Sequence, residues 1–313
     1  MVKILVVGDL HGKMPRIHFK DFDYIIQVGD VCSDKLLRPL YKKYFQLVKK
    51  LKDDVPNFDA FVNAELGVGK HEKILEEETK VGRRVLEYLN SFGVPVFFVP
   101  GNWDNSYGPT KIKDMDKNDY TYWKTWLDWW LARHSNEKLV QGLENIYDLQ
   151  FGLYSDKFNV LGFGLISGPE RLERVKKLKV SEEKRKKLKE YSDKIPNRLS
   201  MLWKKRDKKL ISIFISHNVP YGVLDKVIDK NNYANGKHAG STVARNFCLR
   251  HKPDICIGGH IHEHYGRRKL GKTVVINSGF GRDAQVLIDI NEKTKKFKTK
   301  FVDSVVKKYR KKG

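Results

Sequence analysis

Five short pieces of the chain each follow an apolar, strand-like run with side chains that ligate metals. They are Gly8-Asp9-Leu10-His11-Gly12, Gly29-Asp30, Gly101-Asn102-Trp103-Asp104, Ser216-His217 and Gly259-His260-Ile261-His262. The preceding runs are Ile4 to Val7, Tyr24 to Val28, Val96 to Val99, Ile211 to Ile215 and Ile255 to Ile257. Side chains at the carboxyl ends of several strands converge on one crevice, where open α/β sheets bind their ligands. The chemistry this set suits is a dinuclear metal site. Two ions about 3.5–4 Å apart must share a ligand, and a carboxylate with two oxygens can bridge them. Asp30 is the natural bridge. Asp9, His11 and His262 would complete the ligands of one ion, and Asn102, His217 and His260 those of the other. Imidazole nitrogen with carboxylate or amide oxygen, and no thiolate, suits manganese first, with iron, zinc, nickel or cobalt as alternatives. Two aspartates and neutral partners leave a positive balance once two divalent ions bind. That balance attracts a phosphate ester and lowers the pKa of bound water. The expected reaction is in-line attack by metal-bound hydroxide on phosphorus.

The order D-x-H, G-D, G-N-x-D, H, G-H-x-H resembles the calcineurin-like metallophosphoesterase family, from Lys3 to about Asp289. The stretches Gly236-Lys237-His238-Ala239-Gly240-Ser241 and Pro253 to His260 resemble small microbial members, as does Val274-Val275-Ile276-Asn277-Ser278-Gly279. The resemblance implies an α/β fold, a four-layer α/β/β/α sandwich of two mixed sheets with helical insertions, and metals at the strand ends. Carried over position by position, every expected ligand is present: Asp9, His11, Asp30, Asn102, His217, His260 and His262. One position departs. Where the family has a histidine after the asparagine, thought to protonate the leaving oxygen, this chain has Trp103. An indole N–H donates a hydrogen bond but does not deliver a proton, and general acid catalysis is worth roughly a hundred- to ten-thousandfold. The catalytic candidates are therefore Asp104, retained from the motif, and His238, in a glycine-bounded loop between two ligand-bearing segments. Asp104 also suits holding its loop through backbone hydrogen bonds. His264 fits a solvated or supporting place, and His18, His71, His134 and His251 lack ligand spacing.

The elements that must position these residues alternate between strands and helical insertions. One domain is expected over residues 1–290, with insertions at about 34–92, 105–144 and 170–209, followed by a basic strand and tail over 291–313. In the first insertion Leu36, Leu40, Tyr44 and Leu47 share one helical face, and a second helical stretch includes Ile74, Val81, Val85 and Leu89, stopping at Gly93 before Val94-Pro95. Gly67-Val68-Gly69-Lys70 between them reads as a turn. In the second insertion Trp123, Trp126 and Trp130 fall at helical spacing amid other aromatics. They suit either core packing or a surface for a protein partner. Phe151 to Gly164 reads as a hairpin.

Lysine and arginine exceed the acids by 23 charges in 313 residues. The excess is concentrated: residues 171–209 hold 17 basic against 6 acidic residues, and residues 293–313 hold 10 against 1. Such blocks suit a nucleic-acid partner through the basic insertion and tail, or else solvated helix faces. The insertion is expected to be helical, with Glu182 and Glu183 placed for pairs with Lys186 and Lys187. In the tail Phe297, Thr299 and Phe301 share one face of a strand and Lys296, Lys298 and Lys300 the other, with 307–313 expected to fray. No apolar run approaches the roughly 20 residues of a membrane span, and Met1-Val2-Lys3-Ile4 leads directly into a strand. Cys32, Cys248 and Cys256 have no paired spacing, which points to a reducing compartment. A cytoplasmic location is the expectation from these features. The functional expectation is a dinuclear metal-dependent phosphoesterase acting on phosphate esters, diesters ahead of monoesters. Its alternatives are a nuclease or nucleic-acid end-processing enzyme, and a non-catalytic interaction protein on the same fold.

Overall fold

The computed structural model describes residues 1–51, 56, 58–104, 139–164, 182–230 and 234–310, with the backbone alone for residues 49, 183–193 and 307–310. In the first sheet β1 (Val2–Val7), β2 (Tyr24–Gln27), β3 (Val96–Phe98) and β4 (Ile146–Asp148) run parallel to their neighbours. Antiparallel β11 (Gln285–Asn291) and β12 (Lys296–Phe301) extend it at β1, giving the order β12-β11-β1-β2-β3-β4. The second sheet has the order β5-β6-β7-β8-β10-β9. There β6 (Asn159–Phe163), β7 (Ser212–Asn218), β8 (Ile255–Gly259) and β10 (Thr273–Asn277) are parallel, between antiparallel β5 (Leu153–Ser155) and β9 (Gly266–Leu270).

Alternation along each strand builds the layers, because successive side chains of a strand point to opposite faces. On β1, Ile4 and Val6 enter the core between the sheets with Ile26, Val28, Ile215, Ile257 and Ile288. Leu5 and Val7 point the other way, onto Val85, Leu86 and Leu89 of α3 (Lys70–Asn90). On the far face of the second sheet Phe214, Cys256 and Val275 meet Leu199, Leu202 and Trp203 of α4 (Glu182–Lys204), and Phe247 of α5 (Thr242–His251). The result is a four-layer sandwich of two mixed six-stranded sheets with helices outside.

The first insertion folds as α1 (Leu37–Leu51), α2 (Phe58–Leu66) and α3. Leu40, Tyr44 and Leu47 lie in one aromatic-rich cluster as their spacing predicts, joined by Ile74, whereas Val85 and Leu89 pack against the first sheet. Leu36 does not: it precedes α1 and is exposed. The hairpin expected over 151–164 forms as β5–β6, and the alternation of 296–301 forms β12 with its lysines exposed. The tail departs from expectation. Instead of fraying at 307, the chain forms α6 (Asp303–Arg310), because Val302 and Val305 are buried in the core between the sheets. These anchors, with the partly buried Val306 beside them, hold a segment expected to be loose.

Candidate metal centre

All seven expected ligands are among the described residues, and the structure brings them together. Each sits at or just beyond a strand's carboxyl end. Close approach there depends on glycine: a Cβ on Gly259 would strike the Asp9 carboxylate, and one on Gly101 the Asp30 carboxylate. Three ligands have left-handed backbone, His11 at φ 46°, Asp30 at 53° and His260 at 63°. For non-glycine residues this costs about 1–3 kcal/mol each and persists where the surroundings enforce it.

Six of the seven fall into two groups, Asp9, His11 and His262 in one and Asp30, His217 and His260 in the other, with Asn102 beside the second. In the first, His11 Nε2 is 3.3 Å from His262 Nε2, which is 3.2 Å from Asp9 Oδ2. In the second, His217 Nε2 is 3.1 Å from Asn102 Oδ1, 3.2 Å from His260 Nδ1 and 3.4 Å from Asp30 Oδ2. Asp30 Oδ2 is also 3.5 Å from His11 Nε2, so this oxygen faces both groups as a bridge must.

For His217 and His11, hydrogen bonds fix which ring nitrogen faces inward. His217 Nδ1 donates to the Val28 carbonyl at 2.9 Å, directing the Nε2 lone pair to the cluster. His11 Nδ1 lies 3.0 Å from Asp34 Oδ2, and Arg38 pairs with the same carboxylate. Partners of this kind orient metal-ligating histidines and raise their basicity. The remaining Asp30 oxygen accepts from the Trp103 backbone N–H at 2.9 Å. Asp9 Oδ1 is buried with no hydrogen-bond partner. A buried carboxylate oxygen without a donor is costly, and a cation at this position would satisfy it. The donor set therefore fits two divalent ions, one per group with Asp30 between.

The electrostatics agree. Burial alone would raise the Asp30 carboxyl, but His217 and His11 outweigh it and hold Asp30 well below the usual carboxylate range. Burial would depress His217, yet the Asp30 carboxylate lifts it to about 9. Burial and the neighbouring His217 push His260 down to about 3. Asp34, too, is held low by His11 and Arg38 against its burial.

The two residues expected to be catalytic have different surroundings. Asp104 is buried and accepts from Cys32 N and Gly101 N, both at 2.8 Å, joining the turn that carries Asn102 to the turn that carries Asp30. His238 is half-exposed on a separate loop, with Nδ1 2.6 Å from Asp225 Oδ1. The Trp103 ring leaves the cluster and packs edge-on against Tyr41 at 5.0 Å, joining the aromatic cluster of α1 and α2. His264 bonds the Lys226 carbonyl, His71 bonds Asp59 and His251 bonds Ser200. The tryptophan-rich stretch within 105–138, His134 with it, lies outside the described residues.

Against known proteins, the chain matches the model of the calcineurin-like phosphoesterase family over residues 2–264. It belongs to that family. This phosphoesterase is accordingly a metal-dependent phosphoric ester hydrolase, in a family whose members typically bind two divalent metals. One solved crystal structure aligns over 96% of this chain and 98% of the other, at 15% identity and a TM-score of 0.55, which supports the fold. The crystal structure of a Thermus thermophilus protein, TT1561, aligns over 96% and 98% at 14% identity with a TM-score of 0.41. No curated protein matches in sequence. Among the described residues, no helix of this phosphoesterase is long and apolar enough to cross a membrane.

Two contributors were not foreseen from sequence, Asp34 and Asp225. Asp34 lies four residues past the bridging Asp30, but a lone aspartate before a helix also reads as a cap. Asp225 sits in a Gly-x-x-Asp piece with no distinguishing neighbours.

Proposed function

We propose that the chain hydrolyses phosphodiesters in preference to monoesters, using Asp9, His11, Asp30, Asn102, His217, His260 and His262 to hold two divalent ions, manganese first. The observation that carries the reading is the shared position of Asp30 Oδ2 between His11 and His217, beside the partnerless Asp9 oxygen. When bound, two such ions act as Lewis acids on the phosphate oxygen and generate a nucleophile from water at neutral pH. The residues of the chain do the rest. Asp34 and the Val28 carbonyl orient His11 and His217, and Asp104 locks the Asn102 turn onto the Asp30 turn. Phe280 stacks on the His262 ring at 4.2 Å and lies edge-on to His11 at 5.4 Å. That apolar face beside the ligands suits the second organic group of a diester, which a monoester lacks. Three buried cysteines, none in a disulfide, favour work in a reducing compartment such as the cytoplasm.

The reading is tested with bis(4-nitrophenyl) phosphate and 4-nitrophenyl phosphate, each with manganese and with chelator. Metal-dependent turnover, faster on the diester, is the expected outcome, lost in His217→Ala and Asp30→Asn while circular dichroism stays native. Unchanged turnover in both variants contradicts the assignment.

A nucleic-acid substrate is a second reading, favoured by one surface. The edge strands β9 and β12 are tied by Arg267 Nη1 donating to Thr299 Oγ1 at 2.6 Å. Along these edges Arg267, Arg268, Lys269, Lys272, Lys293, Lys295, Lys296, Lys298 and Lys300 are all exposed. Glu292 beside them is paired with the amino group of Met1. Lysine-dominated contacts suit phosphates rather than base edges. If about six phosphates are neutralised, affinity for a duplex should fall on the order of 10³-fold between roughly 50 and 200 mM salt. Weak, salt-insensitive binding excludes this substrate.

A further inference from the structure

Trp103 occupies the position from which a family histidine would protonate the leaving oxygen, and its ring packs on Tyr41 instead. Another histidine has one ring nitrogen engaged and its side chain 44% exposed: His238. The Asp225 side chain beside it is fully buried. Asp225 Oδ2 accepts from Gly222 N at 2.8 Å and Gly240 N at 2.9 Å, leaving Oδ1 for His238 Nδ1 at 2.6 Å. A buried carboxylate with so many donors has one orientation, and it imposes one on the imidazole.

The loop that carries the pair hangs from the metal-ligating segments at three points. Asn218, next to His217, donates to the carbonyl of Ala239, next to His238, at 2.8 Å. His264, two residues past His262, contacts the carbonyl of Lys226 at 2.5 Å, and Lys226 pairs with His238 in a β-bridge. Asn277 donates both to Leu224 O at 3.2 Å and to Ile261 O, between His260 and His262, at 2.9 Å. These bonds tie the loop that carries His238 to the segments that carry His217, His260 and His262.

We propose that His238 is the general acid of the hydrolysis and Asp225 its positioning residue, a role that rests on the phosphoesterase reading above. Water oxygen adds to phosphorus and gives a proton to solvent. The P–O bond to the leaving group breaks, and the electron pair left on that oxygen takes the proton from Nε2 of the protonated imidazole. His238 regains a proton from solvent, so the net change is addition of water across one P–O bond. With Nδ1–H given to Asp225, Nε2 is the nitrogen left to donate.

The test separates proton donation from structure by leaving group. The 4-nitrophenolate of methyl 4-nitrophenyl phosphate leaves easily without help, whereas the more basic phenolate of methyl phenyl phosphate needs the proton. For His238→Ala and the conservative His238→Gln, kcat/KM on the phenyl ester should fall about a hundredfold or more, and on the nitrophenyl ester less than about tenfold. Nitrogen-15 NMR of the metal-free chain supplies a readout apart from activity. His238 should show Nδ1 protonated in the wild type and lose that fixed form in Asp225→Asn. Equal losses on both esters, or none, overturn the donor role, and a wild-type His238 without protonated Nδ1 overturns the part given to Asp225. A wild type that turns over neither ester overturns the phosphoesterase reading, and this one with it.

Discussion

His11 carries a left-handed backbone, a ligand nitrogen and a carboxylate partner at once. Asp34 fixes its ring, and Arg38 in turn holds Asp34. Asp34→Asn keeps the shape but removes the charge, and metal affinity should fall about 10–100-fold by competition with a chelating dye. An unchanged affinity would mean the backbone alone orients His11. Trp103 gives a second test at this scale. Its ring belongs to the α1–α2 cluster, so Trp103→His should cost about 1–3 kcal/mol of stability in urea melts. The same variant should bring no gain on esters with poor leaving groups. A clear gain would return the donor role to this position and remove it from His238. The ligands themselves were legible in the sequence because histidine, aspartate and asparagine at the ends of apolar runs are conspicuous. The residues that orient them were not, because Asp34 and Asp225 act through contacts that only the folded chain creates.

At the scale of elements, the start of α1 depends on a side chain from α3. Glu78 is buried and accepts from Leu36 N at 2.8 Å and Leu37 N at 3.4 Å, two N–H groups that a helix start leaves open. Burial raises its carboxyl from 4.5 to about 7, against the pull of those two donors, with Asp34 adding to the rise. A carboxyl raised on folding is most stabilising while protonated. Its contribution is fully present below about pH 4.5 and is lost as pH rises through about 7. Glu78→Gln keeps an accepting oxygen and removes the titration. The variant should be more stable than the wild type at pH 8 by about 1–2 kcal/mol, with no difference near pH 4. A constant gap at both pH values would contradict the buried, proton-linked role. Strand and helix types were legible wherever the apolar period was clean, as in β1, α3 and β12. The exception, α6, was hidden because its apolar anchors are few, Val302 and Val305 with the partly buried Val306, beside a basic end.

For the whole molecule, two sheets bring together ligands up to 253 residues apart in the chain, as in the contact of His262 with Asp9. The order of motifs implied that convergence through the family resemblance, whereas the basic double edge of β9 and β12 was only half visible. The lysines of β12 stood out as a charge block, but Arg267 to Lys269 join them through a neighbour relation between sheets that no local pattern contains. The central claim is that the convergence makes one dinuclear catalyst, and the most direct measurement is a metal titration of the stripped protein. Manganese would be added to the metal-free chain while hydrolysis of bis(4-nitrophenyl) phosphate and bound metal per chain are followed together. The account predicts turnover that saturates at two ions per chain and vanishes in Asp30→Asn. A folded protein that binds two ions and hydrolyses nothing, or one that is fully active with none, would contradict it.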